Sequence, residues 1–228
     1  MSEVAIEFLG AAGTVTGSRF LLTCGDTKVM IDCGMFQGLK ELRLKNWNPL
    51  GIDPAEIDAV VLTHAHLDHC GYLPKLGKDG FVGKVFLTEY TAKLVDVILR
   101  DSARIQTEDA KYAAKKKFSK HNPPMALYEE GDVEETLELM VTREFLEEVQ
   151  IAPQVTAIFH PSGHILGAAF VEVEFFGKFG FKEISDVPVD AETYAEMVRS
   201  NDDGVAEFLD LARVKQNTLG NTRMLRTL

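Results

Sequence analysis

With 228 residues, 46% of them hydrophobic and 26% charged, the chain is long enough for one sizeable domain and has the composition of an ordinary globular protein. No apolar run approaches the ~20 residues of a membrane span, and the N-terminal MSEVAIEFLG has neither the basic flank nor the apolar core of a signal peptide, so no membrane partner is expected and the default location is cytoplasmic. A formal charge of −11 weighs mildly against a nucleic-acid binder, and three cysteines (Cys24, Cys33 and Cys70) without a Cys-x-x-Cys pair argue against a disulfide framework or a thiolate zinc knuckle.

Val4–Leu9 is a short apolar run closed by Gly10. Arg19–Thr23 and Lys28–Ile31 flank the turn signal Gly25-Asp26, which predicts a hairpin. The β-branched, apolar run Asp58–Leu62 reads as a buried strand whose end delivers Thr63 and His64 to a sheet edge. Lys84–Leu87 reads as another strand. From Thr88 a helical pattern begins, with Leu94, Val97, Ile98, Arg104 and Ile105 on and around one face; it fades near Lys117 and is broken by Asn122-Pro123-Pro124. Asp132 with Glu135 three residues on predicts a capping box opening a helix over Glu134–Val141. Val155–Phe159 and Ala169–Phe175 read as strands on either side of a loop holding His160 and His164. Strands, a helix and strands again predict a layered α/β domain. After Gly177 the character changes: 190–200 and 203–214 read as polar amphipathic helices and Thr218–Leu228 as a frayed tail. The expected division is a domain over 1–178 and a divergent helical segment over 179–228, too short for a second full domain.

Charge is uneven along this order. Arg100 to Lys120 holds seven basic residues against three acidic ones, whereas Glu129 to Glu148 holds nine acidic and one basic. A basic strip can hold phosphates even in an acidic chain. The plainer reading of Lys115-Lys116-Lys117 is a solvated helix face.

The chemistry concentrates in Thr63-His64-Ala65-His66-Leu67-Asp68-His69, where half of the six histidines fall within six positions beside a carboxylate. Neutral imidazole nitrogen and hard carboxylate oxygen are the donor mixture that suits zinc and similar ions. In an extended segment, His64 and His66 point to the same side, while Asp68 and His69, past a turn, can face a second ion. His164, in Ser162-Gly163-His164-Ile165-Leu166-Gly167, is the candidate third imidazole, because flanking glycines let a loop approach a site closely. His160 reads as structural or as support for a ligand, and His121 as a surface residue. Asp32, at the end of Val29-Met30-Ile31, either orients a ligating imidazole or caps a turn. Asp32 and Asp68 are the candidate catalytic residues.

His64-x-His66-x-Asp68-His69, with Asp32 upstream in IDCG and His164 downstream, resembles successive motifs of the metallo-β-lactamase superfamily. More narrowly, FLGAAGTVTGSRFLL, IDCGMFQG, THAHLDHCGYLP, LRDSARIQ and SGHILGAA resemble the β-CASP RNA-processing nucleases, over roughly Val4 to Lys178. The resemblance implies an α/β, four-layer αββα sandwich, two zinc ions, and hydrolysis of RNA phosphodiester bonds. By that analogy His64, His66 and His164 hold one zinc and Asp68 and His69 help hold the other. Two ions ~3.5–4 Å apart would lower the pKa of a shared water, orient it for in-line attack and stabilise charge on the phosphate oxygens.

The family pattern continues past GHILG to a Gly-Asp whose carboxylate bridges both ions, and Phe175 to Asp186 contains no Gly-Asp. Asp186 falls near the expected place as a substitute ligand; the alternative is a loop aspartate before Pro188. The β-CASP cap and the strands that complete the sandwich are not found in the sequence either, so the expected sandwich is incomplete, and its exposed apolar sheet would favour a homodimer. Two further readings follow: another hydrolase on the same fold, acting on a thioester, lactone or small phosphodiester, or a metal-binding remnant without activity.

Overall fold

The apolar runs of the first half assemble into one six-stranded sheet in the computed structural model, which describes residues 4–116, 125–175, 180–181, 215–218 and 221–224. Strands β1 (Val4–Phe8), β2 (Phe20–Cys24) and β3 (Thr27–Ile31) form an antiparallel meander. Gly25 turns between the last two at φ 61°, the left-handed conformation a tight hairpin needs. After helix α1 (Lys40–Lys45), strand β4 (Ala59–Val61) pairs in parallel with β3. Two short helices, α2 (Leu67–Cys70) and α3 (Leu73–Lys78), lead to β5 (Lys84–Thr88), parallel to β4. The long helix α4 (Glu89–Lys116) and α5 (Glu130–Leu137) precede β6 (Met140–Arg143), parallel to β5. A second, antiparallel sheet holds β7 (Glu148–Ala152), β8 (Val155–Pro161) and β9 (Ala169–Phe175). The backbone of β10 (Gly180–Phe181), β11 (Lys215–Thr218) and β12 (Asn221–Met224) forms a third small sheet.

Strand alternation sends the side chains of the first sheet into two opposed cores. On one face Met30, Val60, Leu62, Val85 and Leu87 pack with Leu73, Leu76, Val95, Leu99 and Val133 of the helices. On the other, Val29, Ile31, Ala59, Val61 and Phe86 pack with Val155, Ala157, Phe159, Val171 and Phe175 of the second sheet. β4, covered on both sides, is apolar at every position for this reason. Burying each large side chain is worth about 1.5–3 kcal/mol, so β3, β4 and β5 are clamped from both faces. Their carboxyl ends form the rigid edge from which the functional residues project. The layers are helices, sheet and sheet, the architecture of the expected sandwich; the fourth, helical layer has no counterpart among the described residues.

Three sequence expectations shift. The helix expected over Glu134–Val141 runs from Glu130 to Leu137 instead. Asp132 lies inside it, its carboxylate accepting the Glu129 N–H at 2.8 Å, and Met140 and Val141 leave it to pair with β5. On α4 the buried positions are Thr91, Val95, Leu99, Ser102 and Ala103, while Val97 and Ile105 are 65% and 46% exposed. The helix lies close to its neighbours through small and hydroxyl side chains, which a hydrophobic stripe does not reveal. Where a frayed tail was expected past Thr218, Asn221–Met224 pairs with Lys215–Thr218 as antiparallel strands. The helices expected over 190–200 and 203–214, and both His121 and Asp186, lie outside the described residues. Among the described residues no helix is long and apolar enough to cross a membrane.

Candidate metal centre

The segment after β4 bends at Thr63, is extended at His66 and then turns into α2; His64 and His66 bring ring nitrogens within 3.1 Å of each other, and Asp68 and His69 follow beyond the turn. The loop after β3 wraps this turn with backbone hydrogen bonds: Cys33 N to His69 O at 2.7 Å, Met35 N to Leu67 O at 3.0 Å and Tyr72 N to Cys33 O at 2.9 Å. Ser18 N donates to Asp68 O at 2.8 Å, and Gly34 N to Ser18 O at 2.8 Å. A Cβ on Gly34 would stand 1.5 Å from the Asp68 carbonyl oxygen, so only glycine permits this approach.

Buried Arg19 anchors that wrapping loop. Its Nε donates to Gly34 O at 2.7 Å, a terminal nitrogen donates to Asn46 Oδ1 at 3.1 Å, and its guanidinium stacks 3.8 Å from the Tyr72 ring centre. Burial lowers the Arg19 pKa from its ordinary value.

The central acceptor is Asp32, fully buried and held at φ 56°, a left-handed conformation that aspartate tolerates better than most residues. Its carboxylate accepts the Thr63 N–H at 2.8 Å, the Thr63 hydroxyl at 2.8 Å and His69 Nδ1 at 2.7 Å. A carboxylate only accepts, so His69 carries its proton on Nδ1 and keeps a lone pair on Nε2. The Thr63 hydroxyl, its proton given to Asp32, accepts from His64 Nδ1 at 3.0 Å. The lone pair of His64 is therefore on Nε2.

That nitrogen lies 3.1 Å from His66 Nδ1, which lies 3.0 Å from His164 Nε2. The three rings stand nearly perpendicular to one another, with centroids 4.8–4.9 Å apart. Together they form one group able to hold a metal ion. A tetrahedral zinc with bonds of ~2.0–2.1 Å keeps its nitrogens about 3.3 Å apart; the two separations at His66 are close to that, and all three donor atoms lie within 4.8 Å of one another. Burial first, then the neighbouring His69, His66 and His164 rings, push the His64 pKa far below the usual histidine range, and the ring is neutral, as a metal ligand must be.

Asp68 and His69 stand beside this group, with Asp68 Oδ2 3.8 Å from His69 Nε2 and the His69 ring centre 3.9 Å from that of His64. His164 reaches the group because Ala169 N, at the end of its loop, bonds to Thr63 O at 2.9 Å. His160 stays apart on the second sheet, bonded to Glu172 at 3.1 Å and stacked on Phe170. In the sequence Thr63 reads only as a residue that a strand end delivers with His64; the relay it makes between Asp32 and His64 is read from its contacts, and its position next to His64 was the available signal. Gly34 and Arg19 carried no signal short of their contacts. On α4, Arg100 is paired with Asp96 and Glu134, and Arg104 with Asp101 and Glu108, so two cations of the basic strip are already neutralised.

Residues 13–149 match the family described as the metallo-beta-lactamase superfamily. Ribonuclease TTHA0252 of Thermus thermophilus is 39% identical over 74% of this chain and 35% of its own length. Transcription termination factor FttA of Cenarchaeum symbiosum is 31% identical over 74% of this chain and 24% of its own length. Cleavage and polyadenylation specificity factor 73 of Drosophila melanogaster is 34% identical over 75% of this chain and 23% of its own length. The chain thus spans about a third or less of the curated relatives it matches.

Proposed function

This chain belongs to the metallo-β-lactamase superfamily, and on that premise we propose that it is a metal-dependent hydrolase of the β-CASP kind, acting on RNA phosphodiester bonds. The observation that carries the reading is the approach of His64 Nε2 and His164 Nε2 to His66 Nδ1, at 3.1 and 3.0 Å, within a three-imidazole group, with the His64 tautomer set through Thr63 by Asp32. In this reading those three nitrogens would hold one zinc ion and Asp68 and His69 would help hold a second; Asp186, which lies outside the described residues, stays the sequence's candidate for a further carboxylate ligand. Bound there, the ions supply an acidified water and draw charge from the phosphate oxygens. Asp32 orients His69 by a buried hydrogen bond, and Ser18, Gly34 and Arg19 fix the backbone that carries Asp68. Among the described residues of the basic strip, Lys111, Lys115 and Lys116, at the exposed end of α4, are the cations left to meet an RNA backbone. Relatives named as a ribonuclease and a cleavage factor support RNA as the substrate class. Residues 1–178 form the metal-binding domain and 179–228 a separate C-terminal segment.

The test is cleavage of a labelled RNA by the purified chain, beside a generic phosphodiester and a thioester, with zinc content measured on the same samples. RNA cleavage that chelation stops, and that His66→Ala abolishes together with bound zinc, is the expected result. Turnover of the thioester alone would assign a different hydrolase on this fold. Bound zinc without turnover of any substrate would leave a metal-binding module.

A further inference from the structure

His164 is an exposed ring on a loop between β8 and β9, so packing alone does not hold it. Its loop closes on itself through Ser162 N to Ala168 O at 3.1 Å and Ala168 N to Ile165 O at 2.9 Å. The loop is also tied to the rigid edge of the first sheet at a second place. The Gly167 carbonyl accepts the Thr88 hydroxyl at 2.6 Å and the Thr91 hydroxyl at 2.9 Å. Both threonines are buried, at 2% and 0% exposure, one closing β5 and the other in the first turn of α4. Thr88 Oγ1 also accepts the Thr91 N–H at 3.3 Å and lies 2.9 Å from Thr91 Oγ1, so the two hydroxyls and the Gly167 carbonyl form one hydrogen-bonded triangle. Gly167 sits at φ 82°, and a Cβ there would lie 2.4 Å from Thr91 N, so the close approach needs glycine.

We propose that Thr88 and Thr91 are positioning residues for the metal group: their paired hydroxyls fix the Gly167 carbonyl and so hold His164 against His64 and His66. The inference rests on the reading of the three imidazoles as a metal site. The loop is pinned at two points just after His164, by the two hydroxyls at Gly167 and by Thr63 O at Ala169. Thr63 and Thr88 follow or close adjacent parallel strands, so the anchors share one rigid edge. Without the hydroxyls the carbonyl is left against buried carbon, and the loop is free to turn His164 away.

Zinc affinity, measured by competition with a chromophoric chelator, and the visible spectrum of the cobalt(II)-loaded chain test the proposal. Thr91→Val should weaken metal binding about tenfold to hundredfold and change the cobalt spectrum, and Thr91→Ser should restore both. In a His164→Ala background, Thr91→Val should have no further effect, because its action passes through that ring. Unchanged affinity and spectrum in Thr91→Val, where His164→Ala alone lowers affinity, would overturn the proposal. So would an equal Thr91→Val effect with His164 absent. If His66→Ala and His164→Ala both leave metal binding intact, the metal reading itself fails and the proposal falls with it. Thr91→Ala, which removes the hydroxyl with less crowding, carries the same comparison if the valine variant does not fold.

Discussion

Asp32→Asn isolates the hydrogen-bond logic of the site from its shape. Asparagine keeps the volume and tolerates the left-handed backbone at φ 56°. Its oxygen must stay at the Oδ1 position, where the Thr63 N–H and hydroxyl approach at 2.8 and 3.0 Å. The amide nitrogen then occupies the Oδ2 position, 2.7 Å from His69 Nδ1. It donates there, His69 moves its proton to Nε2, and the lone pair that would face Asp68 and a metal is lost. The Thr63 hydroxyl keeps an acceptor, so the His64 tautomer and the first ion are largely spared. Loss of a partner that orients a metal ligand costs about 10–100-fold in affinity, equivalent to about 1.4–2.7 kcal/mol. Calorimetric titration with zinc should therefore show the weaker site of the pair reduced by that factor and the tighter site little changed. The urea midpoint of the metal-free chain should fall by no more than about 1.5 kcal/mol in equivalent stability, one buried hydrogen bond reversed. Unchanged second-site affinity, or selective loss of the first site, would refute the assignment of Asp32 as the residue that orients His69.

Gly34→Ala drives a Cβ to 1.5 Å from the Asp68 carbonyl, with no rotamer to relieve it. A loss of about 3 kcal/mol or more in urea unfolding is expected, with a weaker second ion; a midpoint within error of wild type would contradict the tight wrapping. Burial pushes the Cys33 thiol up to about 12 and raises Cys70 well above its ordinary value, while Cys24 is half-buried. Iodoacetamide at mildly alkaline pH should add one label to the native chain and three in urea, by mass spectrometry; three labels without urea would place the other two thiols at the surface. Arg100→Ala and Arg104→Ala should leave RNA affinity nearly unchanged, because both guanidinium groups are paired within the fold. Lys115→Ala with Lys116→Ala should weaken binding and lower the salt slope by roughly 0.7–0.9 per lysine; the reverse ranking in a salt-dependent binding assay would move the RNA path to another face.

The parts of the fold legible in the sequence were those with local signals. The Gly25-Asp26 turn and the apolar Asp58–Leu62 run predicted β2, β3 and β4 within a residue or two, because turn chemistry and two-sided burial leave marks in a few adjacent residues. The strands β6 and β7 were not read. They fall in an acid-rich stretch, where Val149 and Ile151 turn inward between exposed Glu148 and Gln150, and the charges hid the alternation. The apolar face of α4 was only partly legible: Leu94 and Ile98 pack against the core as expected, but Thr91, Ser102 and Ala103 also face inward, as tight spacers and, for Thr91, as a hydrogen-bond donor. At the site, the spacing of His64, His66, Asp68 and His69 pointed to a metal at once, since those donor types rarely gather for other reasons. Asp32 was legible as a residue that could orient an imidazole, but its bonds to Thr63 and His69, and those from Thr88 and Thr91 to Gly167, join distant parts of the chain, and only tertiary contact reveals those partners.

Crystals of the full chain grown with zinc, with diffraction collected on both sides of the zinc absorption edge, test the central claim most directly. The account predicts an anomalous peak bonded at once to His64 Nε2, His66 Nδ1 and His164 Nε2. No peak at that point, or zinc bound elsewhere with these three rings turned apart, would contradict it.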